Sequence, residues 1–278
     1  MTSTPGAPPA QSAPGSGFAA DWLALREEAD RRARAAAPLD ALRAVLDGRT
    51  VPLRVLDLGA GAGNNLRATA AELPCPQDWR LADHDPALLA RATAALPQGV
   101  RAETATADLA AGIGLLLDTP GMLVTASAFF DLCGRAWLER LAGDLLARGA
   151  ALYAVLSYDG REAWAPTHPD DTAVLAAFHA DQRRDKGFGP SLGPEAHDTL
   201  AAALRTGGAT VVEGTSDWIL EPPADAALIA ALAEGSASAV RPSLGSVADT
   251  WLAARRSASR VVIGHRDLLA LPPGWPGA

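Results

Sequence analysis

The stretch Val51-Pro-Leu-Arg-Val-Leu-Asp-Leu-Gly-Ala-Gly-Ala-Gly-Asn-Asn-Leu-Arg67 decides the fold of this chain of 278 residues. A short apolar run ends in three alternate glycines, Gly59, Gly61 and Gly63. This pattern predicts a buried strand, a tight turn and a helix that begins near Asn64. Glycine suits such a turn because it tolerates positive φ and lets a ligand approach the bare backbone. The stretch therefore predicts a strand–loop–helix unit that can bind a ligand.

Acidic residues accompany this glycine loop. Asp57 precedes the first glycine by two positions, and Asp83 lies at the predicted carboxyl end of the second strand. A carboxylate there can accept both ribose hydroxyls of a nucleoside, because ligands of open α/β sheets bind at strand ends. Enzymes that use NAD have an acid at the same place, so Asp83 alone does not select the cofactor. The spacing G-x-G-x-G, however, lacks the last glycine of a dinucleotide fingerprint. Asp85, directly before Pro86, is predicted to cap the next helix.

Apolar runs and amphipathic segments alternate beyond the glycine loop, which is typical of an α/β sheet. The pattern predicts seven strands, five of them parallel and a terminal pair that includes one antiparallel strand. The segment 157–194 is too long for an ordinary connection, and 221–256 is predicted to be helical. We therefore predict one domain over residues 51–278, with insertions at about 157–194 and 221–256.

The first fifty residues differ from the rest in composition. Residues 1–17 are mostly Pro, Gly, Ser, Thr and Ala without a charged side chain, which predicts a disordered tail. Residues 18–50 predict two amphipathic helices, with an interruption at Pro38 and an end at Asp47-Gly48.

Composition excludes several classes of protein. A formal net charge of −8 argues against a general nucleic-acid binder, since phosphate contacts need a basic face. Two cysteines, Cys75 and Cys133, fit neither a disulfide framework nor a cysteine-rich zinc site, and no metal is predicted. No apolar run reaches the length of a membrane span, and the N-terminus lacks the pattern of a signal peptide. We expect a cytoplasmic protein without membrane contact.

The glycine loop with Asp57 resembles motif I of the class I S-adenosylmethionine-dependent methyltransferases. The string Leu81-Ala-Asp-His-Asp-Pro86 resembles their second motif. The resemblance covers roughly residues 51–220 and the last strand, and it implies a Rossmann-like sheet of seven strands with helices on both faces. It also implies S-adenosylmethionine as cofactor, with Asp83 on the ribose, and Asp108 and the Leu109 amide on the adenine. The residues that it places around the cofactor are Asp57, Gly59, Ala60, Gly61, Gly63, Asn64, Asp83, His84, Asp108, Leu109 and Ser127.

The two N-terminal helices have two interpretations. They are either a packing appendage or, as in families that resemble this one, a lid over the cofactor. Arg26, Asp30 and Arg34 recur every four residues and so share one helix face. On the lid interpretation, Arg26 or Arg34 reaches the methionine carboxylate.

The segment Thr125–Asp131 resembles motif IV, which implies a position beneath the sulfonium and open to the methyl acceptor. The signature Asn-Pro-Pro-Tyr of enzymes that methylate nucleic-acid amino groups is absent, so a small-molecule acceptor is expected. Lys186 is the only lysine of the chain and lies among glycines, which suggests an acceptor contact; the alternative is a mobile surface loop. Candidate general bases are Tyr158, Asp131 and His168, and candidate acceptor contacts are Lys186, Arg184, Phe130 and Trp218.

The sequence thus predicts a methyltransferase that acts on a small molecule by in-line methyl transfer. One alternative is a protein of the same fold that binds the nucleoside without catalysis. A nicotinamide-dependent oxidoreductase is the other, and the glycine spacing disfavours it. The acceptor and the oligomeric state are not readable from the sequence.

Overall fold

The computed structural model describes residues 20–275, so the predicted tail at 1–17 lies outside the described residues. Within them, eight strands form one mixed sheet in the order β3-β2-β1-β4-β5-β8-β6, and β7 also pairs with β8. The strands are β1 Leu53–Leu58, β2 Gln77–Asp83, β3 Arg101–Thr106, β4 Leu123–Ser127, β5 Ala151–Ala165, β6 Thr210–Thr215, β7 Trp218–Leu220 and β8 Arg260–Leu271.

The first five strands are parallel, and β8 is antiparallel to β5, β6 and β7. This arrangement confirms the predicted fold class. The strand order reverses between β1 and β4, since β2 and β3 lie on one side of β1 and β4 on the other. In open α/β sheets such a reversal opens a crevice at the carboxyl ends of the strands.

Helices cover both faces of the sheet. They are α1 Ala20–Ala33, α2 Ala36–Leu46, α3 Asn64–Ala70, α4 Pro86–Ala94, α5 Arg135–Ala147, α6 Asp171–Gln182, α7 Ala196–Thr206, α8 Ala226–Leu244 and α9 Ser246–Arg255. Successive strand residues point to opposite faces, so Val55 joins one apolar core and Leu56 the other. The core around α5 and α7 is separate from the one beneath the other helices. None of the helices within 20–275 has the length and apolarity that crossing a bilayer requires.

The structure divides one predicted strand. The sequence predicts a single strand over residues 210–219, but Ser216 and Asp217 separate β6 from β7. The hydroxyl of Ser216 donates to Asp267, which is fully buried on β8. Asp267 also accepts from the backbone amides of Leu156, at 2.7 Å, and of Ala35, at 2.9 Å. One buried carboxylate therefore fixes the β6–β7 break, the bulge in β5 and the junction before α2.

Two other boundaries differ from the prediction. β5 continues to Ala165 across two bulges, so the segment predicted as an insertion from residue 157 begins as strand. Pro38 lies in the first turn of α2 rather than between the helices. Proline is tolerated there because the first amides of a helix have no partner within it.

Candidate functional site

The glycine loop between β1 and α3 requires its glycines. Gly59, Gly61 and Gly63 have φ of 63°, 50° and 83°, a backbone region that L-residues with a side chain rarely adopt. A Cβ on Gly59 would lie 2.8 Å from the ring of Phe129, and one on Gly61 would lie 3.1 Å from Leu23 Cδ1. The loop is therefore enclosed by α1 on one side and by the segment after β4 on the other.

Asp57 lies in β1 beneath this loop and is fully buried. Its Oδ1 accepts from Asn65 Nδ2 at 2.6 Å, and the same amide nitrogen lies 3.1 Å from Thr125 Oγ1 on β4. Burial raises the pKa of Asp57 to about 7, while the Asn65 hydrogen bond and the Arg34 charge oppose the rise. Asp57 therefore ties β1 to α3 from below the loop.

Asp83 ends β2 and holds the loop from the side. Its carboxylate accepts from the Gly61 amide at 2.8 Å and from the Asp85 amide at 3.0 Å. Exposed His84 lies next to it, with Nδ1 3.2 Å from Asp83 Oδ1. Asp85 caps α4 by accepting from the amides of residues 87 and 88, as predicted.

Asp108 follows β3 and is exposed. It accepts from the Ala110 amide at 2.9 Å and so caps a short 3-10 helix at Leu109–Ala111. Leu109 is buried, and its carbonyl accepts from Trp137 Nε1 at 2.8 Å. Because β1, β2 and β3 are neighbours, the three predicted acids follow adjacent strands at one edge of the sheet.

Helix α1 is fastened over the glycine loop and α3. Asn64 Nδ2 donates to the Leu23 carbonyl at 2.6 Å, and Arg67 pairs with Glu27 at 2.5 Å. Arg34, just after α1, donates to Thr69 Oγ1 at 2.8 Å and to Asn65 Oδ1 at 2.9 Å. These contacts engage Arg34 in anchoring α3.

Arg26 lies one turn beyond Leu23 on α1, among aromatic rings. It pairs with Asp30 at 2.9 Å, and its guanidinium carbon lies 4.8 Å from the centre of the Trp218 ring. The His265 ring is 5.1 Å from that of Trp218, and both residues are buried. Arg26, which comes before β1 in the sequence, therefore lies beside Trp218 of β7, and Trp218 lies beside His265 of β8.

Three buried polar atoms around Arg26 have no hydrogen-bond partner among residues 20–275: Asp131 Oδ1, Trp218 Nε1 and His265 Nδ1. Burial raises the pKa of Asp131 to about 6, and the nearby Arg26 charge opposes the rise. Burial, helped by Arg26, lowers the pKa of His265 to about 3, so its ring is neutral. A buried polar atom without a partner costs about 1–3 kcal/mol, so these atoms suit a polar ligand.

Tyr158 lies beyond the carboxyl end of the parallel part of β5. Its hydroxyl is 2.9 Å from Glu162 Oε1 and 3.0 Å from His179 Nε2 on α6. Burial, reinforced by the Glu162 charge, raises the pKa of Tyr158 far above its usual value. Tyr158 therefore stays protonated, and its predicted role as general base is not supported. The sequence does not predict a role for Glu162 or His179, because neither residue belongs to a recognisable local motif and His179 lies in a helical insertion.

The other candidate base, His168, belongs to the turn that begins α6. Its amide donates to Asp171 Oδ2 at 2.8 Å, and its Nδ1 accepts from the Asp170 amide at 3.2 Å. Asp171 is in turn bound by Trp251 on α9. These contacts place His168 with α6 and α9, and the structure does not bring it to Tyr158.

Phe130 is a core residue rather than a wall of an acceptor pocket. Its side chain is 1% exposed and packs with Phe129 and Trp137. Phe129, which contacts Gly59, also packs edge-on against Phe188. Ser127 ends β4 just before this aromatic group and is half-buried.

The loop around Lys186 is folded on itself. Asp185 accepts from the amides of Gly187 and Gly189, so these amides do not form a cradle for an anion. Lys186 Nζ is 3.8 Å from Asp181 on α6, and its side chain is 19% exposed. Arg184 pairs with the same carboxylate but is 73% exposed. The predicted acceptor contact of Lys186 stays a prediction.

One group of side chains in the described part of the chain has the spacing of a metal site. The ligand atoms of His197, Asp198 and Glu213 lie within 4.8 Å of one another. Arg266 pairs with both of the acids in this group, and Arg205 pairs with Glu213. We assign the group to an ion-pair network between α7 and the sheet.

Comparison with known proteins supports the fold. No family model and no curated protein matches the sequence. A cyclopropane-fatty-acyl-phospholipid synthase-like protein from Lactobacillus casei is 15% identical, with a TM-score of 0.52 over 90% of this chain and 94% of that one. A proposed type II methyltransferase from Anaeromyxobacter dehalogenans is 20% identical over 86% and 99%, with a TM-score of 0.47. A cyclopropane synthase from Mycobacterium tuberculosis is 12% identical over 84% and 82%, with a TM-score of 0.46. The first of these matches confirms the predicted Rossmann-like fold.

Proposed function

We propose that this chain is an S-adenosylmethionine-dependent methyltransferase that acts on a small-molecule acceptor. The observation that carries the proposal is the glycine loop at the reversal of strand order, held by Asp83 at the end of the neighbouring strand. Its three left-handed glycines put no side chain into the crevice where ligands of such sheets bind.

The residues around the loop fit this cofactor. Asp83 would accept the ribose hydroxyls, and Asp108 with the Leu109 amide would contact the adenine. Arg26 would bind the carboxylate of the methionine tail, while the buried Asp131 Oδ1 would hold its ammonium. Asp131 was a candidate base from sequence, but a buried carboxylate oxygen without a partner among residues 20–275 suits a cation better.

The bound cofactor supplies a methyl group on a sulfonium, whose leaving thioether needs no proton. The chain must therefore mainly position the acceptor, and positioning is worth about 7–11 kcal/mol of the barrier when the geometry is right. Helix α1 excludes water, because Leu23 covers Gly61 and two polar contacts fasten the helix to α3. We accordingly propose that residues 20–50 form the lid.

Calorimetric titration tests the proposal against its two alternatives. We expect S-adenosylmethionine and S-adenosylhomocysteine to bind and to raise the melting temperature, since a ligand that binds only the native state stabilises it. Binding of NAD in place of both would favour the oxidoreductase. Binding without any methyl transfer from labelled cofactor to a panel of hydroxyl and amine compounds would favour the non-catalytic nucleoside binder.

A further inference from the structure

The Tyr158 hydroxyl lies within hydrogen-bond distance of two groups, Glu162 Oε1 and His179 Nε2, but it can donate to only one of them. Tyr158 has one hydroxyl proton, and a neutral imidazole has one N–H. Glu162 already accepts from Trp164 Nε1 at 3.3 Å through Oε2, and its Oε1 lies 2.9 Å from the Tyr158 hydroxyl. Burial raises the pKa of Glu162, and its hydrogen bonds from Tyr158 and Trp164 oppose the rise. Glu162 is thus held as an acceptor of two hydrogen bonds.

This arrangement selects one tautomer of His179. If Tyr158 donates to Glu162, its oxygen can only accept from His179, so Nε2 of His179 carries the proton. The lone pair of the neutral ring is then on Nδ1. Burial and the charge of Arg183, one turn further along α6, both lower the pKa of His179. The ring is therefore neutral at neutral pH, with its basic nitrogen turned away from Tyr158.

The group lies next to the polar atoms that the proposed site leaves unsatisfied. The Tyr158 ring is 6.3 Å from that of His265, which adjoins Trp218 and Arg26. β5 is the neighbour of β4, whose end bears the segment predicted to lie beneath the sulfonium. His179 is half-buried and is not enclosed in the core.

We propose that His179 is the general base of the reaction, that Tyr158 and Glu162 are its positioning residues, and that the acceptor carries a hydroxyl or N–H proton to be removed. This inference rests on the proposed function. The acceptor atom forms a bond to the methyl carbon as the carbon–sulfur bond breaks, and the electron pair of that bond stays on sulfur. The acceptor proton moves to Nδ1 of His179. The resulting imidazolium is stabilised through Tyr158 by the Glu162 carboxylate.

Nuclear magnetic resonance of the protein alone tests the arrangement without any acceptor. In uniformly ¹⁵N-labelled protein, long-range proton–nitrogen correlations distinguish the two neutral tautomers of each histidine. We expect His179 to be the Nε2–H tautomer in the wild type and a mixture in Tyr158→Phe. An Nδ1–H tautomer of His179, or no change in Tyr158→Phe, would overturn the inference.

Turnover with methyl-labelled S-adenosylmethionine and a panel of phenols, alcohols and amines tests the catalytic role. We expect His179→Gln to lower kcat/KM by about 100-fold or more, the usual size of general base catalysis, while the affinity for S-adenosylhomocysteine is retained. His168→Gln, at the other end of α6, is the matched variant and should stay within about twofold of the wild type, far below that loss. In the wild type, kcat/KM should fall below an apparent pKa that is lower than that of an ordinary histidine.

The outcomes separate this inference from the proposed function. Transfer by the wild type together with equal transfer by His179→Gln would overturn the role of His179 alone. The same holds if only His168→Gln loses activity. Absence of both cofactor binding and transfer in the wild type would overturn the proposed function, and the inference with it.

Discussion

The glycine-loop region, at the ends of β1 and β2, and the region around Tyr158 and His265, in the middle of β5 and β8, both bury polar side chains. In the glycine-loop region the partners are close in sequence: Gly61 and Asp83 are 22 residues apart, and Asp57 and Asn65 are 8 apart. Around Tyr158 and His265 the rings come from β5, α6, β7 and β8, and Arg26 comes from α1. Both regions contain buried atoms without a partner within residues 20–275: Asp57 Oδ2 in the first, and Trp218 Nε1 and His265 Nδ1 in the second.

This difference indicates that the two regions are suited to different ligands. Asp83 fixes the Gly61 amide, so the glycine loop is pre-organised. It therefore loses little conformational freedom when a ligand binds. Around Tyr158 and His265 the unsatisfied ring nitrogens come from two separate strands and cost stability, which a ligand that completes their hydrogen bonds would offset. We accordingly propose that the cofactor binds in the first region and the acceptor beside the second, with Arg26 and Asp131 between them.

The largest effect is expected from Gly61→Val in the glycine loop. Valine in this left-handed conformation costs about 1–2 kcal/mol, and its Cβ would lie 3.1 Å from Leu23 Cδ1. We expect affinity for S-adenosylhomocysteine, measured by calorimetry, to fall by about 100-fold or more. Gly99→Val is the matched control, because Gly99 also has positive φ but no heavy atom within 4 Å of its Cβ position. Equal losses in the two variants would contradict the steric explanation.

The next effect concerns Asp131 and pH. Its pKa in the folded protein is raised to about 6 from 3.8, so its contribution to stability is full below pH 4 and is lost as pH rises through 6. We expect Asp131→Asn to become more stable than the wild type as pH rises from 4 to 7, by up to about 3 kcal/mol at 1.36 kcal/mol per pKa unit. Urea unfolding at four pH values measures this margin.

Asp108→Asn is the control for Asp131, because Asp108 is exposed and asparagine can also cap its 3-10 helix. A pH-dependent margin for Asp131→Asn that exceeds the margin for Asp108→Asn is the expected effect of burial. Equal margins in the two variants would mean that burial does not perturb the Asp131 carboxyl.

A smaller effect is expected for Asp83→Ala. The variant loses the proposed ribose hydrogen bonds and frees the Gly61 amide, so affinity for S-adenosylhomocysteine should fall about tenfold or more. Asp85→Ala, two residues further on, removes the cap of α4 and should cost about 1 kcal/mol of stability but leave the affinity intact. Unchanged affinity in folded Asp83→Ala would show that the ribose lies elsewhere.

The smallest effect is expected for Lys186→Ala. Its ammonium already has a carboxylate partner in Asp181, and such partly exposed pairs contribute about 0–1 kcal/mol. We expect kcat/KM to change by less than about threefold relative to Arg184→Ala, which loses a pair with the same carboxylate. A tenfold loss confined to Lys186→Ala would instead support the contact with the acceptor that the sequence predicts.

Local patterns made most of the glycine-loop region predictable. Asp85 caps α4 as predicted, and Asp57 and Asp83 lie at the ends of adjacent parallel strands because each βα unit is contiguous in sequence. Prediction failed where a buried group from far along the chain decides the structure. Asp267 on β8 interrupts the predicted strand over residues 210–219 and sets the junction before α2.

The sequence by itself determined the α/β fold, the glycine loop and the acids beside it, because strand and helix periodicity and turn chemistry act over a few residues. Only the tertiary structure engaged Arg34 with α3, buried Phe130 in the core and placed His179 against Tyr158. These outcomes depend on which side chains the antiparallel β8 and the helical insertion bring together. Such contacts join segments far apart in the chain, so no local pattern records them.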